Sequence, residues 1–330
     1  MSVLVSFAIA LLIGLGLLAW SADRFVDGAS SLAVRLGVSP MIIGLTIVAF
    51  GTSAPEILVS ATAALNGNPA LALGNAIGSN IANVGLVIGV TALIAPLTVQ
   101  SQTLRREFPL MGVVMIATLA LIFDQQLSRL DGTLLLAGVF VLMAVTIWLS
   151  KQTQPGDLLA QQLADEQSPE LFDQVTVGQS LWQLVSGLLI LLVASKLLVW
   201  GAVGIASHFG ISDLVIGLTI VAIGTSLPEL AASIAAVRKG EDDIAIGNVL
   251  GSNMFNLLAV IGVAGAIAPT DIDPALLHRD YPLMLLLSLG LYLLARGSST
   301  EQARIGRIPG AALLTIFTAY EAWLYISPGG

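Results

Sequence analysis

One stretch of thirteen residues is written twice in this chain. Gly44-Leu-Thr-Ile-Val-Ala-Phe-Gly-Thr-Ser-Ala-Pro-Glu56 returns as Gly217-Leu-Thr-Ile-Val-Ala-Ile-Gly-Thr-Ser-Leu-Pro-Glu229, with 11 of 13 positions identical at an offset of 173 residues. The same offset carries Gly74-Asn-Ala-Ile-Gly-Ser-Asn-Ile-Ala-Asn83 onto Gly247-Asn-Val-Leu-Gly-Ser-Asn-Met-Phe-Asn256, where 6 of 10 positions match, and Pro96 onto Pro269 without a gap. Each copy sets a carboxylate, a proline and two hydroxyls inside a long apolar run. Any fold for the chain must accommodate that arrangement twice.

The apolar runs decide the solvent. The chain is 56% hydrophobic and 10% charged, with mean hydropathy +0.93, whereas soluble domains carry about 25% charged residues. This composition predicts an integral membrane protein built from runs of the roughly 20 residues that cross a bilayer as helix. The first run, Val3 to about Trp20, has no basic residue ahead of it and reads as a span rather than a removable signal peptide. The net charge of −8 lies largely in loops and says little about partners. With no cysteine, disulfides, thiol redox chemistry and Cys-ligated metals are excluded.

Ten transmembrane helices account for the pattern, near 3–22, 40–65, 70–96, 108–125, 132–150, 179–206, 213–237, 243–269, 280–296 and 307–326. The expected fold is an all-α membrane protein of two five-helix repeats, 1–150 and 178–330, joined by an acidic linker over 151–177. An odd number of spans per repeat makes the second half enter from the opposite face, so the repeats are expected to be inverted, a common plan of secondary transporters. Ten Lys and Arg fall on one side of this topology and three, Arg129, Lys196 and Arg279, on the other. The ten-charge side is expected to be cytoplasmic, with both termini outside. The linker holds Asp157, Asp165, Glu166, Glu170 and Asp173 without the spacing or central glycine of an EF-hand loop. It reads as a solvated connector.

Glu56 and Glu229 lie deep inside apolar spans, where an isolated charge is costly and usually meets a cation or lines a watery path. Pro55 lacks an N–H and Gly51 weakens the helix further, so the carbonyl of Gly51 loses its helical partner and nearby ones such as that of Ala49 are candidates for exposure. Broken backbone at membrane depth faces protein or a cavity, and its carbonyls are ready cation ligands. Thr52 and Ser53 stand four and three residues before Glu56, on one helical face. Thr225, Ser226, Pro228 and Glu229 repeat the construction. Asn75, Ser79 and Asn83 form a second polar stripe at four-residue intervals, as do Asn248, Ser252 and Asn256. Gly74 and Gly78, like Gly247 and Gly251, make a small-residue face for close helix approach. Every donor atom is oxygen, which suits hard cations such as Na⁺ and Ca²⁺ and argues against Zn or Cu. Stripes of this kind also serve as plain interhelical glue, but each asparagine lies 27 residues beyond its glutamate in both halves, which favours a shared site.

Other chemistry is thinly supported. His208 and His278 share no spacing with another ligand, and Lys196 reads as an interfacial side chain. No H-E-x-x-H, G-x-S-x-G or phosphate-binding glycine loop occurs, which argues against an enzyme, an ATP-driven pump or a nucleic-acid-binding protein.

At the Gly-Thr-Ser-x-Pro-Glu and Gly-Ser-Asn-x-x-Asn pairs the sequence resembles the cation/calcium exchanger superfamily, in particular its prokaryotic sodium/calcium antiporter branch, over essentially the whole chain. The resemblance implies a four-site diamond at the membrane centre. Glu56 and Glu229 would be shared carboxylate ligands, with Thr52, Ser53, Ser79, Thr225, Ser226 and Ser252 around them and backbone carbonyls near Ala49 and Ala222. Asn83 matches the family's asparagine, while Asn256 stands where some members carry aspartate. The resemblance also implies that the first and sixth helices slide as a pair across the rest, and Gly28/Gly201 and Gly37/Gly210 are shared between the matching segments. The expected function is exchange of Na⁺ for Ca²⁺ in a bacterial inner membrane, with no cofactor. A Ca²⁺/H⁺ or K⁺-involving exchanger and a cation channel are the alternatives.

Overall fold

The structure, a computed structural model, describes residues 2–152, 176–209, 222–296 and 303–326. The helices are α1 (Ser2–Leu36), α2 (Pro40–Thr52), α3 (Ala54–Leu65), α4 (Pro69–Ile94), α5 (Ser101–Ile122), α6 (Arg129–Gln152), α7 (Val177–His208), α8 (Ala222–Thr225), α9 (Leu227–Arg238), α10 (Asp242–Ile267), α11 (Tyr281–Arg296) and α12 (Arg307–Ile326). Each of these helices overlaps a segment expected from the apolar runs. The acidic linker lies almost wholly outside the described residues, as do Gly210 and the start of the second thirteen-residue motif. Five of the helices are long and apolar enough to cross a bilayer, or up to six when the bent pair α2 and α3 counts as one.

The chain departs from expectation in two places. The first helix runs on to Leu36 rather than ending near residue 22. At 1.5 Å per residue its 35 residues reach about 50 Å, well beyond a hydrocarbon core of about 30 Å, so Asp23, Arg24 and Asp27 ride on helix past the apolar stretch. The fold is also not purely helical. Two short antiparallel ribbons pair β1 (Leu97–Val99) with β4 (Ala303–Ile305), and β2 (Gln126–Leu127) with β3 (Thr270–Asp271). These are interhelical connections whose extended backbone satisfies its N–H and C=O groups by pairing with a strand from the other half of the chain.

Both proline-glutamate motifs break their helix. Proline offers no N–H to the preceding turn, and Ser53 adopts φ −79, ψ 1, bending α2 and α3 apart by 42°. Ser226 adopts φ −88, ψ 3 between α8 and α9. Each glutamate thereby lands in the first turn of a new helix, where the unpaired N–H groups favour negative charge. The turns that end α3 and α9 also match, with Gly67 (φ 78) and Gly240 (φ 76) in the left-handed conformation that glycine adopts without strain.

Burial orders the helices. In the most apolar stretch of α4 72% of residues are buried, and in α10 83%, against 17% in α1 and 22% in α7. The two asparagine-bearing helices thus form the centre, and α1 and α7 lie against its side, facing outward. These two pack on each other through glycines. A Cβ on Gly28 would lie 2.3 Å from the Leu184 nitrogen, and one on Gly201 2.7 Å from the Phe7 carbonyl oxygen. Gly14 meets Leu198 and Gly187 meets Phe25 in the same way, so the contacts recur at the 173-residue offset. At Gly247 and Gly251, α2 backbone approaches α10 closely enough to exclude any side chain.

One end of α1 is tied to the α9–α10 turn. Lys239 Nζ lies 2.7 Å from Asp27 Oδ1, and the Ser30 hydroxyl donates to Glu241. Burial raises the Glu241 carboxyl above its ordinary value, and the Ser30 hydrogen bond opposes that shift.

Candidate functional site

The helix breaks of α2–α3 and α8–α9 come within hydrogen-bonding distance of each other. Ser53 Oγ donates to Glu229 Oε1 at 3.4 Å, joining the first motif to the second. The hydroxyls of Thr52 and Ser252 lie beside the same carboxylate. Thr52 Oγ1 stands 3.0 Å from Asn248 Oδ1 and 3.4 Å from Ser252 Oγ. Glu56, Glu229, Thr52, Ser53, Ser79, Asn83, Ser226, Ser252 and Asn256 are all buried, and Thr225 is half-buried at the end of α8.

The backbone carbonyl of Ala49 differs from the expectation of exposure. Ala49 O is not stripped of its partner: the Ser53 N–H reaches it at 3.0 Å, and the hydroxyls of Thr52 and Ser252 stand at 3.3 and 3.5 Å. It is the focus of several polar groups rather than an orphan. Its counterpart Ala222 opens α8. The carbonyl that Pro228 deprives of a helical donor, that of Gly224, is met by Ser195 Oγ of α7 at 3.1 Å.

Oxygen atoms nevertheless remain without partners. Glu56 Oε2, Glu229 Oε2, Asn83 Oδ1, Asn256 Oδ1 and Ser226 Oγ are buried and make no hydrogen bond. An unpaired buried polar group costs about 1–3 kcal/mol, and more when charged. Five such oxygens lie in the two duplicated motifs, two of them carboxylate, and all are hard donors of the kind that Na⁺ and Ca²⁺ take as ligands.

The profile of the sodium/calcium exchanger protein family matches residues 6–149 and 179–326 of the chain. The chain belongs to the sodium/calcium exchanger family. It is 52% identical over 320 residues to the putative antiporter CaxA of Alkalimonas amylolytica, covering 97% of this chain and 98% of that one. It is 44% identical to the inner membrane protein YrbG of Escherichia coli, over 96% of this chain and 97% of that one, and 32% identical to the sodium/calcium exchanger MaX1 of Methanosarcina acetivorans, over 96% and 97%. Among solved structures, the sodium-calcium exchanger NCX_Mj soaked with Na⁺ and Sr²⁺ superposes with a TM-score of 0.81 at 33% identity, over 97% of this chain and 98% of that one. The chain is thus a multi-pass membrane exchanger with the NCX_Mj fold.

Not every residue of the exchanger's polar stripes faces the unpaired oxygens. Asn75 Nδ2 turns to the Glu56 carbonyl at 3.4 Å and Ser60 Oγ at 3.1 Å, and Asn248 Nδ2 turns to the Glu229 carbonyl and Ser233 Oγ, each at 3.2 Å. They brace the first turn after each break. Two asparagines that helical spacing leaves off the stripes, Asn80 and Asn253, are fully buried and bonded to Asn256 and Asn83. The duplication itself is the signal that points to them, since both Gly-Ser-Asn segments carry an asparagine there. Asn83 and Asn256 each open a π turn, Asn83–Ile88 and Asn256–Val260, a widened turn common at functional positions.

Proposed function

We propose that this exchanger moves Ca²⁺ against Na⁺ by alternating access through a site shared by two inverted five-helix repeats, ten spans in all. The carrying observation is the group of five buried, unpartnered oxygens contributed by both repeats. Glu56 and Glu229 supply the charge that balances one divalent cation, and the same oxygens serve Na⁺ in its absence, which makes occupancy mutually exclusive. Thr52, Ser53, Ser79, Thr225, Ser226 and Ser252, with the carbonyls of Ala49 and Ala222, complete the oxygen set, and Asn83 and Asn256 close it from the two central helices.

The mirrored glycine contacts between α1 and α7 support the inverted arrangement. The same helices are the proposed moving pair, since they lie outside the buried centre and bear on both helix breaks. The positive-inside count supports termini outside and the Lys239–Asp27 end in the cytoplasm of a bacterial cell. Residues 151–177 would be the connector between the repeats.

Calcium uptake into proteoliposomes tests this reading. Vesicles loaded with Na⁺ are expected to take up Ca²⁺, and vesicles loaded with K⁺ or choline, or carrying only a pH gradient, are not. Uptake driven by protons or K⁺ instead would keep the site and replace the coupling ion. A passive current without counter-ion would make the protein a channel.

A further inference from the structure

The two asparagines at the site turn their amide nitrogens away from it and onto asparagines of the opposite motif. Asn256 Nδ2 donates to Asn80 Oδ1 at 3.1 Å, and Asn83 Nδ2 donates to Asn253 Oδ1 at 3.1 Å. Asn80 and Asn253 are completely buried. The two ends of a primary amide are nearly identical in shape and opposite in hydrogen bonding. Which end is left without a protein partner decides whether the position is an oxygen ligand for a cation or an N–H donor that repels one.

For Asn80 the backbone makes that choice. Its Nδ2 donates to the main-chain carbonyl of Asn253 at 3.1 Å, and also lies 3.4 Å from Met284 Sδ. A carbonyl only accepts, so the nitrogen of Asn80 must point there and its Oδ1 the other way. Only a donor can meet that oxygen, so Asn256 turns Nδ2 toward it and leaves Oδ1 buried and without a hydrogen-bond partner. We propose that Asn80 is a positioning residue for ion binding, which holds Asn256 as an oxygen ligand through this donor–acceptor chain without touching the ion itself. The inference rests on the reading of these oxygens as a cation site.

The mirror pair lacks the last link. Asn253 Nδ2 has no partner among the described residues, so Asn253 and Asn83 can invert together without losing a bond to the backbone. Two sequence-identical arrangements thus differ in rigidity. Asn256 is directed firmly and Asn83 weakly.

A double-mutant cycle in proteoliposomes separates positioning from plain packing. The Ca²⁺ concentration for half-maximal uptake and the maximal rate are measured for the full-length wild type, Asn80→Ala, Asn256→Ala and the double variant. Asn80→Ala is expected to raise the half-saturating concentration about ten-fold, the effect of losing one well-placed ligand bond, with the maximal rate within about two-fold. The double variant is expected to match Asn256→Ala alone, because Asn80 acts only through Asn256. An unchanged half-saturating concentration in Asn80→Ala, or multiplied effects in the double variant, would overturn the proposal. Asn253→Ala keeps the main-chain carbonyl that orients Asn80, and is expected to raise the value less than Asn80→Ala does; an equal or larger rise refutes the difference between the pairs. Should Asn80→Ala not be recovered folded, Asn80→Ser, smaller but still polar, takes its place in the same cycle with the same deciding outcomes. A wild type without exchange would instead defeat the functional reading, so the two failures are distinguishable.

Discussion

At the scale of single residues, the proposed site takes its charge from the two glutamates, with buried hydroxyls around them. Replacing either by glutamine keeps the volume and removes one negative charge from the proposed ligand set. Removing one partner of a buried ionic pair costs about 3–5 kcal/mol, so Glu56→Gln and Glu229→Gln are each expected to cut calcium exchange by at least about a hundred-fold. Both should leave expression and thermal stability near wild type. Normal transport by either variant would remove that glutamate from the site. Ser195 does a different job. Its hydroxyl caps the Gly224 carbonyl that Pro228 leaves without a donor, and the matching position 22 in the first repeat is alanine, so the cap exists in one repeat only. Ser195→Ala leaves a buried acceptor unpaired at about 1–3 kcal/mol. A fall of a few degrees in melting temperature is expected, and an unchanged melting curve would show that the carbonyl finds another donor.

At the scale of elements, α1 and α7 approach closely at their glycines, and Phe7 meets Trp200 edge-on and Arg24 donates to Ser186 between them. Gly28→Ala would place a Cβ 2.3 Å from the Leu184 backbone and must separate the helices. It is expected to destabilise by about 1–3 kcal/mol, the usual cost of overpacking. Gly16, in the same helix, has open space where a Cβ would go, so Gly16→Ala should be neutral or stabilising by up to about 1 kcal/mol from helix propensity. Thermal unfolding in detergent compares the two, and equal melting temperatures would contradict the packing account. The fastening of α1 to the α9–α10 turn is weak by its chemistry. The Lys239–Asp27 pair is 29% and 54% exposed, and exposed pairs contribute about 0–1 kcal/mol. Such a contact can part and reform during a transport cycle.

At the scale of the whole molecule, the proposed alternating access with α1 and α7 as the moving pair would change the position of α1 relative to α9. The chain has no cysteine, so Asp27→Cys combined with Lys239→Cys gives a clean pair for a short thiol-reactive linker. Cross-linking is expected to abolish exchange, and cleaving the linker to restore it; undiminished transport in the linked protein would show that this end of α1 stays fixed. Much of this architecture is legible in the order of the residues. A carboxylate beside proline in an apolar run can be placed only where backbone and charge find protein or ions. Its repetition at 173 residues makes the membrane class, the helix breaks and the chemistry of the site readable from the chain alone. These are local or periodic properties, written along one helix at a time. The unreadable remainder lies between helices. Asn80 stands one residue from Ser79, about 100° around the helix and off the stripe, and nothing in its own segment says that the carbonyl of Asn253 and the amide of Asn256 wait on that side. The same holds for Ser195 over Gly224, for α1 running to Leu36, and for strands that pair one half with the other. Sequence determined which atoms could bind a cation, because helical period and proline act locally. Only the tertiary structure decided which way the amides face, because a donor's direction depends on an acceptor carried by another helix.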